Sequence, residues 1–203
     1  GWRLEVPGPP GPGAPLMESR IAVEIDPGGR IEGMLCAEAD GAGAPRETAL
    51  GPARVWTTIL SAPSVRLEIE LAVMVLERRR AAILAAVLHN DSTQAVTVRR
   101  ILLADPVMTR VFTPAPPDRL RLLIVPASTH TAARVWPGAA APAPAAFGFT
   151  AVVDPVTRWT LLAGFPCARA GTGTLTWVHA PAGGPPGLGL GAVVETGPVR
   201  LGP

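Results

Sequence analysis

Between Val65 and Pro106 the chain reads VRLEIELAVMVLERRRAAILAAVLHNDSTQAVTVRRILLADP, and its apolar spacing predicts three successive β-strands joined by two turns. From Val65 to Leu76 the odd positions are Val65, Leu67, Ile69, Leu71, Val73 and Val75, while the even ones begin Arg66, Glu68 and Glu70. A period of two is what a strand shows when one face is buried and the other is wet. Leu, Glu, Ala and Arg are also good helix formers, but a helix over Val65 to Leu88 has no reason to alternate strictly through Val75. The charges from Glu77 to Arg80 mark a solvated bend. A second apolar run, Ala81 to Leu88, ends at His89-Asn90-Asp91-Ser92-Thr93, whose Asn, Asp and Ser side chains can bond nearby backbone groups and so favour a turn. A third run, Ala95 to Ala104, follows.

The same signals recur on both sides of this stretch. Trp2 to Val6 predicts a short strand, and PGPPGPGAP from Pro7 to Pro15 departs from collagen spacing and reads as a linker or crossing loop. Ser19 to Ile25 alternates, Asp26-Pro27-Gly28-Gly29 is a turn, and Arg30 to Cys36 returns, which together predict a hairpin. The small and polar Ala37 to Pro52 suits a loop, and the β-branched and aromatic Val55 to Ser61 suits a strand. Beyond the prolines at 114, 116 and 117 a strand is expected over Leu120 to Val125, then an extended Pro/Ala loop from Trp136 to Ala146. Strands resume at Phe147 to Val153, Arg158 to Phe165, Thr174 to His179 and Leu190 to Glu195, with a turn at Asp154-Pro155. About ten to twelve strands without a long helix predict an all-β protein, a large antiparallel two-sheet β-sandwich. Residues 1–17 read as an N-terminal strand and Pro/Gly-rich segment, and residues 18–203 as the sandwich domain. No fixed-period repeat suggests a propeller or solenoid.

Composition narrows the partners. At 203 residues and 48% hydrophobic the chain can bury a sizeable core. All 18 basic residues are Arg, the net charge is only +2, and the arginines are scattered, which is no footprint for nucleic acid. The one cluster, Arg78-Arg79-Arg80, fits a solvated hairpin end. Cys36 and Cys167 lie far apart without CxxC spacing, so they predict buried free thiols rather than a zinc site or a disulfide framework. No run reaches the ~18 apolar residues of a membrane span. No basic segment followed by an apolar one opens the chain, which favours the cytoplasm, although a chain that begins at Gly1 can be a fragment.

The residues that could carry chemistry are dispersed. Glycoside hydrolysis needs two carboxyl groups ~5 to 10 Å apart across the bond. Glu68 and Glu70 share the expected wet face of one strand, and Asp26, Asp91, Asp118 and Asp154 all fall at turn signals, where capping backbone is the commoner role. His89, His130 and His179 could join Glu195 as an acid/base set, but no spacing links them and none forms a metal-ligand motif. No GxSxG marks a serine nucleophile. The run Gly183 to Gly191 has the glycines of a phosphate loop without the helix start such loops require. The reading assigns no catalytic residue, no metal site and no cofactor. Trp56, Trp159 and Trp177, in predicted strands, are expected in the core, whereas Trp136, in a Pro/Gly loop, is the candidate to stack on a sugar ring.

The strand and turn AVLHNDSTQAVTVRRILLADP resembles the large N-terminal sandwich of α-galactosidase-like enzymes of glycoside hydrolase family 36, where an inner strand ends in an Asn-containing turn and returns as an aliphatic strand. FGFTAVVDPVTRWTLLAGF is similar to the C-terminal half of that domain, and AVVETGPVRLGP to its last strand before the hinge into the catalytic barrel. The resemblance covers most of the chain from Ser19 onward and includes no catalytic motif. It implies a supersandwich, the fold also found in galactose mutarotases, packed against a (β/α)8 barrel that carries the catalytic aspartates. The chain has no alternating βα pattern to hold such a barrel, so the family implies a noncatalytic N-terminal domain that shapes the sugar site of a barrel partner. An independent carbohydrate-binding or structural sandwich is the alternative. A mutarotase-like epimerase is a further one, and needs His and Glu paired in a sheet concavity.

Overall fold

The computed structural model of the chain describes residues 2–5, 15–26, 29–33, 44–48, 51–55, 58–62, 65–75, 82–90, 92–113, 115–125, 133–138, 143–165, 171–179 and 188–203. Their regular structure is β, with no α-helix among the described residues. The strands are β1 (Trp2–Glu5), β2 (Pro15–Ser19), β3 (Ile21–Asp26), β4 (Gly29–Gly33), β5 (Ala44–Thr48), β6 (Gly51–Val55), β7 (Thr58–Ala62), β8 (Val65–Val75) and β9 (Ala82–Asn90), then β10 (Val96–Ala104), β11 (Arg110–Val111), β12 (Arg121–Ile124), β13 (Arg134–Pro137), β14 (Ala146–Phe147), β15 (Phe149–Val153), β16 (Thr160–Gly164), β17 (Thr172–His179) and β18 (Leu188–Leu201). Every pairing is antiparallel.

The fold is a β-sandwich. A nine-stranded sheet runs β1-β2-β11-β18-β10-β3-β4, with β17 on the other side of β18 and β14 beyond it. A four-stranded sheet runs β13-β12-β15-β16. Their inner faces share one core, to which Leu122, Ile124 and Val152 come from the smaller sheet and Val23, Val98, Leu175, Trp177 and Leu190 from the larger. Trp177 is fully buried, and its indole Nε1–H donates to Thr150 Oγ1 at 2.7 Å, which satisfies the one polar atom of the largest core side chain across the two sheets.

The Val65 to Pro106 stretch forms three strands as the alternation predicts, but not one meander. β8 pairs with β9 along its length, Leu67 opposite Asn90 through Val75 opposite Ala82, in a three-stranded sheet with β7. β10 instead joins the nine-stranded sheet between β18 and β3. The polar turn is therefore a crossing between sheets, and Asn90 is its joint. Asn90 Oδ1 accepts from the Ser92 N–H and hydroxyl, while Nδ2 donates to the carbonyls of Gln94 and, at the end of the last strand, Gly202.

Three other departures from the sequence reading have local causes. The predicted loop Ala37 to Pro52 contains the hairpin β5–β6, whose first strand, APRET, leaves Ala44 to Glu47 exposed, so no buried face was there to impose an apolar alternation. Val55 to Ser61 divides between β6 and β7. Trp136 lies in β13 rather than in a loop, opposite Leu122. The Asp26 to Gly29 turn does join a hairpin, β3–β4, entered at Gly29 with φ of +78°. The strand β1 pairs with β2 at the margin of the nine-stranded sheet. Expectations for the linker at 7–14, Arg78 to Arg80, Cys36, Cys167, Trp56, Asp91 and His130 lie outside the described residues.

Candidate functional site

Of the acids that sequence reasoning weighed as catalysts, Asp26, Asp154 and Glu195 are held in ion pairs with arginine. The pairing of β10 with both neighbours shifts between Val98 and Arg100, and against β3 the extra residue is Arg99, the two-against-one count of a β-bulge that turns two successive side chains to one side. Arg100 then lies between Glu24 of β3 and Glu195 of β18, its Nε 2.9 Å from Glu195 and its Nη1 3.8 Å from Glu24. Arg99 reaches Asp26 at 2.5 Å, and that carboxylate keeps its guanidinium charged beyond its ordinary range. Two carboxylates thus flank one arginine. Hydrolysis needs them to flank a gap that holds a bond and a water.

Asp154 is the most constrained acid among the described residues. It opens the turn between β15 and β16 and is fully buried. Arg119 clasps it bidentately, Nε to Oδ1 at 3.0 Å and Nη2 to Oδ2 at 2.6 Å, and it also accepts from the Thr157 hydroxyl at 2.6 Å and the Val156 N–H at 3.1 Å. Burial alone pushes such a carboxyl up. The Thr157, Arg119 and Val156 hydrogen bonds, with the charge of Arg119, outweigh burial and bring it down to about 2. A group held ionised by four donors is poorly placed to take or give a proton at neutral pH.

A second buried polar knot sits in the loop between β10 and β11. Ala22 faces Leu102 and Glu18 faces Arg110, so the segment between Leu102 and Arg110 is looped out against a chain broken only at Arg20. Thr109 Oγ1 shares a 2.5 Å hydrogen bond with Ser19 Oγ and donates to the Asp105 carbonyl, while Asp105 Oδ1 accepts from the Val107 N–H. This loop also explains the end of the glycine run. A Cβ at Gly189 would collide with the Pro106 carbonyl oxygen, and one at Gly191 with Thr176 Oγ1. Both glycines are strand residues of β18 that let the loop lie against them, not a phosphate cradle.

Of the histidines, the described His89 and His179 do not assemble with Glu195. Thr172 pairs with Glu195 at one end of the β17–β18 ladder and His179 with Leu188 at the other, and His89 stands opposite Glu68 near the end of β9. No group of three or more His, Cys, Asp or Glu among the described residues could hold a metal ion. Trp136 is half-buried and packs on the core with Trp159. Its register partner Leu122 is fully buried, so the ring belongs to the inner face of the four-stranded sheet.

The outer face of that sheet is the feature the sequence reading did not single out. The registers place Val135, Leu123, Ala151 and Leu162 in one row across β13, β12, β15 and β16, with Pro137, Arg121, Val153 and Thr160 in the next. Val135 and Leu162 are each 66% exposed and Phe149, on the same face, 44%. The signal was present in FTAVV and TLLAG, which lack the polar alternation of a strand with a wet face. Among the described residues no helix is long and apolar enough to cross a membrane. No family model matches the chain, and neither a curated protein nor a solved structure matches it.

Proposed function

We propose that this chain is a noncatalytic β-sandwich that acts as a scaffold, packing on a catalytic (β/α)8 barrel of the same polypeptide in an α-galactosidase-like glycoside hydrolase. The observation that supports it best is the engagement of the acids. Glu24, Glu195, Asp26 and Asp154 each have an arginine partner, so these groups hold strands and turns in register rather than face a substrate. The specific partner comes from the family resemblance of the Asn90 turn and the strands that follow it. Trp136 in the inner face weighs against a sugar-stacking role for that ring.

The test begins with the coding sequence beyond Pro203. Roughly 250 residues of alternating strands and helices, with aspartates at strand C-termini, are expected there. The polypeptide that includes them should release 4-nitrophenol from 4-nitrophenyl α-galactoside, and residues 1–203 alone should not. A stop codon directly after Pro203, or hydrolysis by residues 1–203 alone, contradicts the reading.

A further inference from the structure

We propose that β16 is the edge by which two copies of this chain pair, strand against strand, in a two-fold dimer. This pairing does not depend on the scaffold reading. β16 ends the four-stranded sheet, and no further strand pairs with it among the described residues. Its hydrogen bonds have a fixed phase. The Asp154 N–H donates to the Trp159 carbonyl before the strand and the Phe165 N–H to the Gly148 carbonyl after it. With Val152 opposite Leu161 and Thr150 opposite Ala163, the backbone groups of Leu161 and Ala163 therefore turn toward β15. Those of Thr160, Leu162 and Gly164 turn the other way, with no partner on that side among the described residues, and these three are the exposed residues of the strand. Leu161 and Ala163 pack on the core, which holds the strand extended with its open side outward. Folded proteins commonly blunt such an edge with proline, a charge or a bulge. At the opposite margin Pro137 does so: the Gly138 N–H on the Leu120 carbonyl sets a phase that turns Val135 and Pro137 outward, and Pro137 has no N–H to offer. β16 has neither proline nor charge, and its register with β15 is unbroken. An edge of that kind accepts a strand.

The strand that fits is β16 itself. Antiparallel pairing sets outward-turned residues against outward-turned residues, and the register with Leu162 opposite Leu162 of the second copy uses all of them. Thr160 then meets Gly164, Leu162 meets Leu162 and Gly164 meets Thr160, each pair exchanging two hydrogen bonds. A slip of two residues forfeits one of these pairs. The contact is isologous and closes on itself, so it leaves neither copy with an open β16 edge. The side chains suit that register. Leu162, 66% exposed in the single chain, gains an aliphatic neighbour at the two-fold, and the Thr160 methyl lies beside a glycine. Charge does not oppose the pairing. The two Thr160 residues lie about 14 Å apart along the strands. Arg158, the charged residue that precedes each strand, stands farther out still, beyond the ~8 Å over which physiological salt screens exposed charges.

Sedimentation velocity on residues 1–203, from about 1 µM to about 500 µM, tests the pairing. The mass should double from 21.0 kDa as concentration rises. Leu162→Lys, which sets two ammonium groups side by side at the two-fold, should weaken dimerisation at least tenfold, whereas Leu162→Val should keep it. Leu162 is exposed, so both variants should fold. Val135→Lys, in the same row but at the far margin of the sheet, should change nothing. Amide hydrogen exchange at residue resolution supplies a second readout. The Leu162 and Gly164 N–H groups should exchange at least tenfold more slowly in concentrated than in dilute solution, and those of Leu161 and Ala163, already bonded to β15, should change less. A monomer at every concentration, a dimer that survives Leu162→Lys, or one that Val135→Lys abolishes would overturn the pairing. Growth beyond two copies would overturn its closure.

Discussion

Asp154 shows how much a single buried acid can tie together. Its donors come from the turn before β12 and from its own turn after β15, so the carboxylate joins two neighbouring strands of the four-stranded sheet at one end. Asp154→Asn removes the charge and sets an amide NH2 where an acceptor oxygen serves Arg119 and the Thr157 hydroxyl, donor against donor in a buried site, and is expected to lower Tm by on the order of 10 °C. The pH dependence has a defined sign. Unfolded, the carboxyl titrates near 3.8; folded, at about 2. The folded state binds fewer protons between those values, so this group's stabilisation is complete above the unfolded value and lost as pH falls through the folded one. Thermal melts between pH 6 and pH 2 should steepen below about pH 4 in the native protein and flatten there in Asp154→Asn. That Asp154 sits in a turn was legible from Asp-Pro; its clasp by Arg119, 35 residues away in sequence, was not, because nothing local encodes it. Trp177 invites a second substitution. Trp177→Phe removes the indole donor and leaves the buried Thr150 hydroxyl to its Leu123 carbonyl alone, at a cost of about 1–3 kcal/mol that urea denaturation would measure.

At the scale of elements, turns and close approaches decide what each strand can tolerate. The β15–β16 turn closes with Arg158 at φ of +62°, the one described non-glycine residue in the left-handed region, its N–H donating to the Asp154 carbonyl. Left-handed backbone costs a side-chain-bearing residue about 1–2 kcal/mol, so Arg158→Gly should raise stability by about 1 kcal/mol, less the entropy a glycine adds to the unfolded chain. An unchanged or lower denaturation midpoint would show that the Arg158 side chain compensates for its backbone. Gly189→Ala should instead destabilise by about 1–3 kcal/mol, since the Pro106 loop has to move away from the new methyl group. Gly173 obeys the same logic beneath the Phe165 ring, whose Cδ2 would lie 2.6 Å from an added Cβ. Strands with one buried face, such as β3, β10 and β17, could be read from their alternation. The hairpin β5–β6 could not, because its first strand buries none of the residues from Ala44 to Glu47.

For the whole molecule, the Val65 to Pro106 stretch predicts the strands and the class but not the division between sheets. Period-two alternation reports that a strand has one buried face; it is silent on which sheet supplies the neighbour. Asn90 performs that division through bonds to Gln94 and to Gly202, the latter 112 residues distant. Asn90→Ala should therefore speed hydrogen exchange at the end of β18 as well as at its own turn. Even the fate of Trp136 depends on register, since the Pro-rich surroundings suggest a loop while Leu122 opposite draws it into an inner face. The central proposal, that Glu24, Asp26, Asp154 and Glu195 hold strands and turns in register rather than turn over a substrate, is tested most directly by polarimetry of freshly dissolved α-galactose with residues 1–203 alone. The rotation should relax at the rate of buffer. A faster relaxation that Glu195→Gln abolishes would contradict the account.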